Sequence, residues 1–275
     1  MTRGFMTLKN KKIVLITGAA GGLGTALTDI FLKNDYRVIA TDVGLNMPDI
    51  FQRHKNLTYF KMDVTSESDT ETAAVRITEE FGQLDLMISN AAVVDYFPIS
   101  EAGSTQLKKI FEVNVFGLAN LTKYFLPLLI KSSGRLIVIS SESYKVPAPF
   151  QPYSVSKQAL ENMYNSIRLE LMTKGVKTVL VRPGAIQTGI LQDTLDFDYT
   201  LSNSVFVEEF KRFGKSISKY VGKAVAPENV AKVVFKAATA SAPKRTYKIN
   251  HNFLVSLLSV LPGKWKETLI KKSLK

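Results

Sequence analysis

The chain has 275 residues, 45% of them hydrophobic, a size and composition that suit one large domain with a buried core. It contains no cysteine, which excludes disulfide bonds and thiolate chemistry. The formal net charge of +12 is mostly dispersed and favours a solvated surface over an anionic partner, although residues 264–275 form a dense basic run.

Short apolar runs alternate with stretches of helical spacing along most of the chain. We predict strands at 13–17, 37–41, 57–62, 84–89, 135–140, 176–181 and 246–249, and helices at 23–33, 67–81, 105–130, 153–173 and 227–240. Such alternation produces a parallel sheet with helices on both faces, because each crossover is right-handed. The predicted fold class is α/β, a doubly wound parallel sheet of the Rossmann type.

The alternation breaks after Pro183. Residues 187–223 look irregular and rich in aromatic side chains, and we treat 187–225 as a small helical insertion that covers the substrate side. We see no linker and no internal repeat. The chain is therefore predicted to be a single domain over 1–275, with a basic amphipathic tail at 251–275.

The first strand runs directly into a glycine-rich segment, Thr17-Gly18-Ala19-Ala20-Gly21-Gly22-Leu23-Gly24, after which a helix begins. Glycines at such a turn let the backbone approach a pyrophosphate and seat the helix close to the sheet. The helix N-terminus then presents N–H groups and a positive dipole end to the phosphates. The segment predicts a dinucleotide site, with the spacing Gly-xxx-Gly-x-Gly.

Asp42 ends the second predicted strand, where a carboxylate accepts hydrogen bonds from the adenosine ribose of NAD. Its charge repels the 2′-phosphate of NADP, and neither Gly21 nor Val43 supplies a cation to bind that group. We therefore expect NAD as the cofactor, with NADP as the alternative. Asp63 ends the third strand, where it either faces the adenine or lies in the N-cap region of the next helix.

Tyr153 and Lys157 stand four residues apart and share one face of a predicted helix. Oxidation of an alcohol needs a base for the hydroxyl proton, and a free tyrosine, with a pKa of about 10, is a poor base at neutral pH. A neighbouring ammonium favours the phenolate, so we expect Lys157 and a cationic nicotinamide ring together to lower the pKa of Tyr153. The pair alone is also typical of a helix surface, but its position downstream of a nucleotide-binding turn favours the catalytic interpretation.

Three further polar residues are candidates for the same site. Ser140 and Ser141 end the fifth strand, where a hydroxyl either holds the substrate oxygen or caps local backbone. Asn114 lies on the otherwise apolar face of helix 105–130. Its amide either ties the backbone together or holds a water that relays protons to Lys157.

Together these motifs resemble the short-chain dehydrogenase/reductase family over residues 11–249. The family's Thr-Gly-xxx-Gly-x-Gly is met at 17–24, its Asn-Asn-Ala-Gly is present as Ser-Asn-Ala-Ala at 89–92, and its Pro-Gly stands at 183–184. The resemblance implies that the catalytic residues are Asn114, Ser141, Tyr153 and Lys157. It implies that the cofactor is bound by Gly18, Gly22, Leu23, Gly24, Asp42, Asp63, Val64, Asn90, Tyr153, Lys157 and Thr188.

Two departures from the family pattern concern the edges of this site. Ser89 and Ala92 replace Asn and Gly, which affects the packing beside the cofactor. Tyr144 stands where a glycine often follows the catalytic serine, and we expect it to narrow the substrate pocket.

The resemblance implies an oxidoreductase that transfers a hydride between NAD(H) or NADP(H) and the carbinol or carbonyl carbon of an apolar alcohol or ketone. Steroids, retinoids and lipid-like compounds are the expected substrates, with Tyr153 as the acid/base. The alternative is a nucleotide-binding regulatory or scaffold protein without turnover. Nucleic-acid binding is not expected, because the basic surface lacks a recognised basic–aromatic motif. Helices 105–130 and 153–173 resemble those that pair family members into homodimers or homotetramers.

The C-terminal end is similar to that of the retinol and hydroxysteroid dehydrogenases. Its apolar residues share one helical face: Phe253, Leu254, Leu257, Leu258 and Leu261. Such a basic amphipathic end either lies on a membrane surface or packs on its own protein or a dimer partner. No uninterrupted apolar run approaches the roughly 20 residues that span a bilayer, and the N-terminus lacks the apolar region of a secretory signal. We expect a cytoplasmic location, with peripheral membrane contact through the tail as the alternative.

Overall fold

The fold is described from a computed structural model, which places residues 11–44, 54–146, 148–198 and 203–274. Within these ranges seven parallel strands form one sheet in the order β3-β2-β1-β4-β5-β6-β7. The strands are β1 (Ile13–Thr17), β2 (Arg37–Asp42), β3 (Leu57–Lys61), β4 (Leu86–Ser89), β5 (Arg135–Ile139), β6 (Lys177–Pro183) and β7 (Thr246–Ile249). The predicted doubly wound parallel sheet is confirmed.

Helices cover both faces of the sheet. They are α1 (Gly22–Lys33), α2 (Glu67–Phe81), α3 (Ser104–Phe111), α4 (Gly117–Lys131), α5 (Pro152–Met172), α6 (Gly189–Asp196), α7 (Val207–Val221), α8 (Pro227–Thr239), α9 (Phe253–Val260) and α10 (Gly263–Ser273). Parts of the predicted N-terminus, insertion and tail, namely residues 1–10, 199–202 and Lys275, lie outside the described residues.

The alternating side chains of β1 show why the sheet is buried on both faces. Val14 and Ile16 belong to the apolar core shared with α1 and α8. Ile13 and Leu15 belong to a second core on the opposite face, shared with α2, α4 and α5. Strand order runs outward from β1 in one direction and from β4 in the other, so a crevice opens between them at the carboxyl ends of the strands.

The helix predicted as continuous at 105–130 is interrupted. A π-helical turn, Glu112–Phe116, separates α3 from α4. The whole stretch Ser104–Lys131 is, within the described part of the chain, the one helix long and apolar enough to cross a membrane by length and composition. Its side chains Leu118, Leu121 and Phe125 are buried against the sheet, so core packing accounts for its hydropathy.

Two helices lie in the insertion, for which the sequence predicted no bounds. In α7 the side chains of Phe206, Phe210, Phe213 and Ile217 follow helical spacing and join an aromatic core with Tyr96 and Phe150. The aromatic rings meet mostly edge to face, as Phe150 and Phe210 do at 5.4 Å between centroids. This core fixes α7 above the carboxyl edge of the sheet.

Candidate active site

A cavity of about 1070 Å³ opens at the carboxyl ends of the central strands. The glycine turn forms one wall, α5 a second, and residues of α6, α7, α9 and α10 close the opposite side. Every site residue predicted from the sequence lines this cavity except Asn114.

The glycine turn has the close contacts that the sequence predicts. Gly18 has a φ of +64°, and a Cβ there would lie 2.8 Å from the Cα of Ala91. A Cβ on Gly24 would lie 2.0 Å from the carbonyl oxygen of Gly18, so α1 packs directly on the turn. A Cβ on Gly21 would have no atom nearer than the carbonyl oxygen of Gly18, at 3.5 Å. Gly21 lines the cavity.

Helix α1 begins at Gly22, and its N-cap residue Gly21 makes no side-chain capping bond. The first N–H groups of a helix have no intrahelical acceptor. A turn that lines the cavity mainly with glycines, followed by such a helix end, fits the pyrophosphate of a dinucleotide.

Asn90 fastens this turn to the neighbouring strand. Its side-chain amide donates to the carbonyl oxygens of Thr17, at 2.9 Å, and Gly18, at 3.1 Å. The hydroxyl of Thr17 accepts hydrogen bonds from the backbone N–H groups of Asn90 and Ala91. The Ser-Asn-Ala-Ala segment therefore supports the turn through its asparagine, and the substituted Ser89 and Ala92 are not part of this network.

Two carboxylates, those of Asp42 and Asp63, line the cavity near the ends of β2 and β3. The Oδ2 of Asp42 accepts a hydrogen bond from the backbone N–H of Ala20 at 2.9 Å, which holds the carboxylate beside the turn. Asp63 accepts hydrogen bonds from the backbone N–H and the hydroxyl of Thr65, at 2.9 and 2.8 Å. The N-cap of α2 is Ser66, so Asp63 shapes the preceding turn while it lines the cavity.

Tyr153 and Lys157 lie one turn apart on α5, and both line the cavity. The Nζ of Lys157 lies 5.5 Å from the centroid of the Tyr153 ring and donates to the carbonyl oxygen of Ile139 at 3.1 Å. Only 2% of Lys157 is exposed. Burial lowers the pKa of Lys157 to about 8, against the opposing effect of the Glu161 carboxylate.

The environment of the Tyr153 phenol opposes its ionisation. Burial raises the pKa of Tyr153 above its ordinary value, and the nearby Ser141 hydroxyl lowers it only in part, so desolvation of the phenolate dominates among the protein's own groups. The lowering of this pKa by Lys157 together with a cationic nicotinamide ring stays a prediction. At neutral pH the phenol keeps its proton.

The two serines that the sequence could not distinguish have different partners. The Ser140 hydroxyl donates to the Glu161 carboxylate at 2.7 Å and is buried. Glu161 also accepts two hydrogen bonds from the Arg182 guanidinium, at 2.9 and 2.6 Å. Ser141 lines the cavity, its hydroxyl oxygen accepts from the backbone N–H and the hydroxyl of Ser143 at 3.2 and 3.0 Å, and it is near enough to Tyr153 to lower the pKa of that phenol. The structure thus brings Ser141, and not Ser140, to Tyr153.

Asn114 lies in the π-helical turn, outside the cavity wall. Its Oδ1 accepts from the backbone N–H of Val93 at 2.9 Å, and its Nδ2 donates to the carbonyl of Val93 and to the Ser156 hydroxyl. The side chain thus ties the backbone together, the first of the two roles left open by the sequence, and the water relay stays a prediction.

Val64, Leu23 and Thr188 complete the set predicted to contact the cofactor. The carbonyl of Val64 accepts from the Asn120 side chain at 2.9 Å, which fixes it against α4. Thr188 is the N-cap residue of α6, and its Cγ2 would lie 3.0 Å from a Cβ on Gly22. The start of α6 is therefore in contact with the glycine turn across the cavity.

Sequence reasoning missed a buried carboxylate next to Ser141. The Glu142 side chain is 1% exposed and accepts a short hydrogen bond from the Tyr220 hydroxyl and one from the backbone N–H of Asn252 at 2.8 Å. Burial, followed by the Glu142 carboxylate, raises the pKa of Tyr220. Glu142 and Tyr220 are 78 residues apart, and no local pattern joins them.

The prediction that Tyr144 narrows the substrate pocket is wrong. The Arg182 guanidinium lies 4.1 Å from the centroid of the Tyr144 ring, and Tyr144 lines a separate surface depression. Arg182 is held by Glu161, so the ring is directed to the other side of the strand end. Tyr220 occupies the cavity wall instead.

Comparison with known proteins agrees with this geometry. Residues 12–198 match the family model of the short chain dehydrogenases. A reductase from Ornithobacterium rhinotracheale that acts on 3-dehydrocapnine and depends on NADPH is 28% identical, over 96% of this chain and 98% of its own length. Rat estradiol 17-beta-dehydrogenase 2 is 35% identical over 68% of this chain and 52% of its own, which agrees with the predicted likeness to hydroxysteroid dehydrogenases.

A solved structure has the same fold. The short chain dehydrogenase/reductase from Burkholderia phymatum, in complex with NAD, superposes with a TM-score of 0.74 at 20% identity, over 96% of this chain and 97% of its own. The family match covers well over half of the chain. This chain therefore belongs to the short-chain dehydrogenase/reductase family of NAD(P)-dependent oxidoreductases.

Proposed function

We propose that this protein transfers a hydride between NAD(H) and the carbinol or carbonyl carbon of an apolar alcohol or ketone, with Tyr153 as the acid/base. The observation that carries the proposal is that Ser141, Tyr153 and Lys157 line the same cavity as the glycine turn. When bound, the nicotinamide supplies or accepts the hydride.

The chain's own side chains donate or accept the proton that accompanies the hydride. In the reductive direction Tyr153, whose raised pKa keeps the phenol protonated, donates its proton to the carbonyl oxygen. The Ser141 hydroxyl donates a hydrogen bond to the same oxygen and orients it. Lys157 holds the ribose of the nucleotide and, as an ammonium close to the ring of Tyr153, stabilises the phenolate that remains.

We assign Asn114 a supporting part in this proton transfer. Its side chain holds the backbone of Val93 and contacts Ser156, the residue before Lys157. The π-helical turn that results leaves backbone groups without the regular helical pattern, and such turns are frequent at functional sites. A water bound at this turn would relay protons to Lys157.

The substrate side of the cavity supports an apolar compound such as a steroid, a retinoid or a lipid. Apolar side chains from four helices line it, including Ile190, Leu191, Ile217, Val255, Leu258, Ile270 and Leu274. Burial of such surface contributes roughly 25 cal/mol per Å² to binding. Relatives that act on estradiol and on 3-dehydrocapnine are consistent with this choice.

We propose NAD over NADP because of the charge beside the adenosine end. Asp42 is held at the glycine turn, and its carboxylate would repel a 2′-phosphate. Position 20 is an alanine and position 43 a valine, neither of which pairs with a phosphate. The Ornithobacterium relative depends on NADPH. The assay below therefore compares kcat/KM for NADH and for NADPH.

A single experiment tests the chemistry and the cofactor together. The purified protein is assayed with NADH and with NADPH against a panel of steroid, retinoid and fatty ketones, beside Tyr153→Phe and Ser141→Ala. We expect turnover with a higher kcat/KM for NADH, a loss of at least about 100-fold in Tyr153→Phe, and nearly unchanged NADH binding by calorimetry. Tight NADH binding without turnover on any ketone or alcohol would favour the scaffold alternative.

We also propose a homodimer or homotetramer in the cytoplasm. The outward faces of the helices named for this role expose large apolar side chains, Phe116 at the start of α4 and Leu169 and Met172 at the end of α5. Analytical ultracentrifugation of the protein and of Leu169→Asp would test the assembly. A monomeric wild-type protein at micromolar concentration would contradict it.

A further inference from the structure

The last two helices have one face inside the substrate cavity. Val255 and Leu258 of α9 and Ile270 of α10 line the cavity, as does Leu274 just beyond α10. Leu274 also packs against the aromatic core of α7, and its carbonyl oxygen accepts a hydrogen bond from Arg212 at 2.8 Å. The segment predicted as a tail is thus part of the wall of the site.

The opposite face of α9 is apolar and exposed. Phe253, Leu257 and Val260 follow one another at helical spacing, and 76%, 44% and 77% of their surfaces are accessible. A globular protein rarely leaves three large apolar side chains of one helical face in water, and such a face marks an interaction surface.

Helix α10 continues this apolar surface and adds charge. Trp265 and Leu269 lie one turn apart and are 67% and 47% exposed. Lys264 adjoins Trp265, and Lys271 and Lys272 follow Leu269 within one turn, whereas Glu267 is the only acidic residue from 251 to 275. Lysine stems cover apolar surface while their ammonium groups reach outward, which is the arrangement of helices that lie at a lipid–water interface.

Contacts with other described residues hold both helices in place. The Nζ of Lys145 donates to the Ser256 hydroxyl at 2.7 Å, and the Glu142 carboxylate accepts from the backbone N–H of Asn252 at the start of α9. Because the inner faces of α9 and α10 line the cavity, their exposed residues stand on the outer side of this part of the cavity wall.

We propose that the outer face of α9 and α10, defined by Phe253, Leu257, Val260, Trp265 and Leu269, docks on the surface of an anionic lipid bilayer. The flanking lysines select this partner, since they attract anionic headgroups and would repel the same face of a second copy. Docking places this wall of the cavity against the lipid. On the proposed function, it lets an apolar substrate pass from the bilayer to Tyr153 without crossing water.

The chain contains a built-in reporter, because Trp265 is its single tryptophan. The experiment adds vesicles of phosphatidylcholine alone, or of phosphatidylcholine with about a third phosphatidylglycerol, to the full-length protein and records tryptophan emission and co-sedimentation. We expect a shift to shorter wavelength and co-sedimentation with the anionic vesicles. Both effects should weaken as salt rises, because ions screen the lysines.

Two pairs of variants separate the apolar and the basic contributions. Phe253→Ser with Val260→Ser removes apolar surface, and its control is Val75→Ser, an exposed valine on α2. Replacing Lys264, Lys271 and Lys272 by Gln removes charge, and its control replaces the exposed Lys174, Lys232 and Lys236 by Gln, with the same change in net charge. We expect each tail variant to reduce vesicle partitioning at least about 10-fold, and the controls to stay within about 2-fold.

Three outcomes would overturn the proposal. One is an unchanged Trp265 emission with both kinds of vesicle. Another is an equal response to the neutral and the anionic vesicles, which would remove the role of the lysines. The third is a protein concentration-dependent emission shift without vesicles, which would assign the face to a second copy.

The catalytic proposal is tested apart from docking. Hydride transfer to a short, water-soluble ketone without vesicles does not require the outer face, so the tail variants should keep their rate on it. Failure of docking with that rate intact rejects the membrane surface alone. Absence of the rate in a protein that still docks rejects the proposed function alone.

Discussion

Ser140 and Ser141 are adjacent in sequence but bond to different parts of the protein. Ser140 serves the buried Glu161–Arg182 pair, whereas Ser141 meets Tyr153 in the cavity. A strand end directs successive side chains to opposite sides, and this alternation separates a structural hydroxyl from a functional one.

We expect Ser140→Ala and Ser141→Ala to affect different measurements. Ser140→Ala removes a hydrogen bond to a buried carboxylate and should lower the free energy of unfolding in urea by about 1.5–3 kcal/mol. Ser141→Ala should leave that free energy within about 0.5 kcal/mol and reduce kcat at least about 10-fold. The reverse pattern would show that Ser140 orients the substrate.

The lowered pKa of Lys157 makes the free energy of unfolding depend on pH. Burial lowers its folded-state pKa to about 8, from an ordinary value of 10.5. The unfolded chain therefore binds more protons between these values, and the free energy of unfolding contributed by this residue rises with pH in that window.

The expected test compares the wild-type protein with Lys157→Met. From about pH 7.5 to about pH 9.5 the free energy of unfolding of the wild type should gain about 2 kcal/mol relative to the variant, by urea denaturation at each pH. Parallel curves for the two proteins would mean that the folded-state pKa of Lys157 is not lowered.

At the scale of elements, the glycine turn joins β1, α1 and β4 with contacts that exclude larger residues. The closest approach is at Gly24, where a Cβ would also lie 2.6 Å from the Cα of Ala19. Gly21, three residues earlier, has an ordinary extended backbone with a φ of −70° and space around its Cα.

These two glycines form a matched pair for substitution. We expect Gly24→Ala to force α1 away from the turn, lower the free energy of unfolding by about 2 kcal/mol or more, and weaken NADH binding measured by calorimetry. Gly21→Ala should fold with a free energy of unfolding within about 1 kcal/mol of the wild type. Equal effects of both substitutions on folding would contradict the packing argument.

The break between α3 and α4 also depends on contacts with a different segment of the chain. Residues 105–130 have uninterrupted helical spacing, which predicts one helix. The Asn114 side chain instead bonds both the N–H and the C=O of Val93, on the segment after β4, at the place where the helix widens into a π-helical turn. The change from α-helix to π-helix thus coincides with a hydrogen bond between Asn114 and Val93, which are 21 residues apart.

At the scale of the whole molecule, Glu142 connects three segments that enclose the cavity. It follows β5, and its carboxylate accepts from Tyr220 on α7 and from the backbone of Asn252 before α9. His251 lies 3.8 Å away, and burial lowers the pKa of its imidazole, so it is neutral at pH 7. Helix α7 and the start of α9, which cover the cavity, are thus bound to Glu142, the residue after Ser141.

We expect Glu142→Gln to loosen this cover. An amide of the same shape cannot accept both bonds as strongly as a carboxylate, so the free energy of unfolding should fall by about 1–3 kcal/mol. Substrate KM should rise more than kcat falls, and trypsin should cut the lysine-rich segment after Leu261 faster. Tyr220→Phe, which removes one of the two bonds, should show a smaller change in the same direction. Unchanged proteolysis in both variants would show that Glu142 does not hold the C-terminal helices.

The sequence by itself determined the parallel α/β sheet, the glycine turn and the Tyr153–Lys157 pair. Each of these depends on neighbouring residues, since burial of a strand, the conformation of a turn and the face of a helix are local properties with a short period. Even the missed helix α7 has a local signal, because Phe206, Phe210, Phe213 and Ile217 follow helical spacing.

The tertiary structure alone decided which serine meets Tyr153, the direction of the shift in the pKa of Tyr153, the Glu142 clamp and the two faces of α9 and α10. These features depend on contacts between distant segments, such as the 78 residues that separate Glu142 from Tyr220. A pKa depends on the burial produced by the whole fold, and a helix face is inward or outward only relative to the cavity it lines. No local pattern in the sequence contains that information.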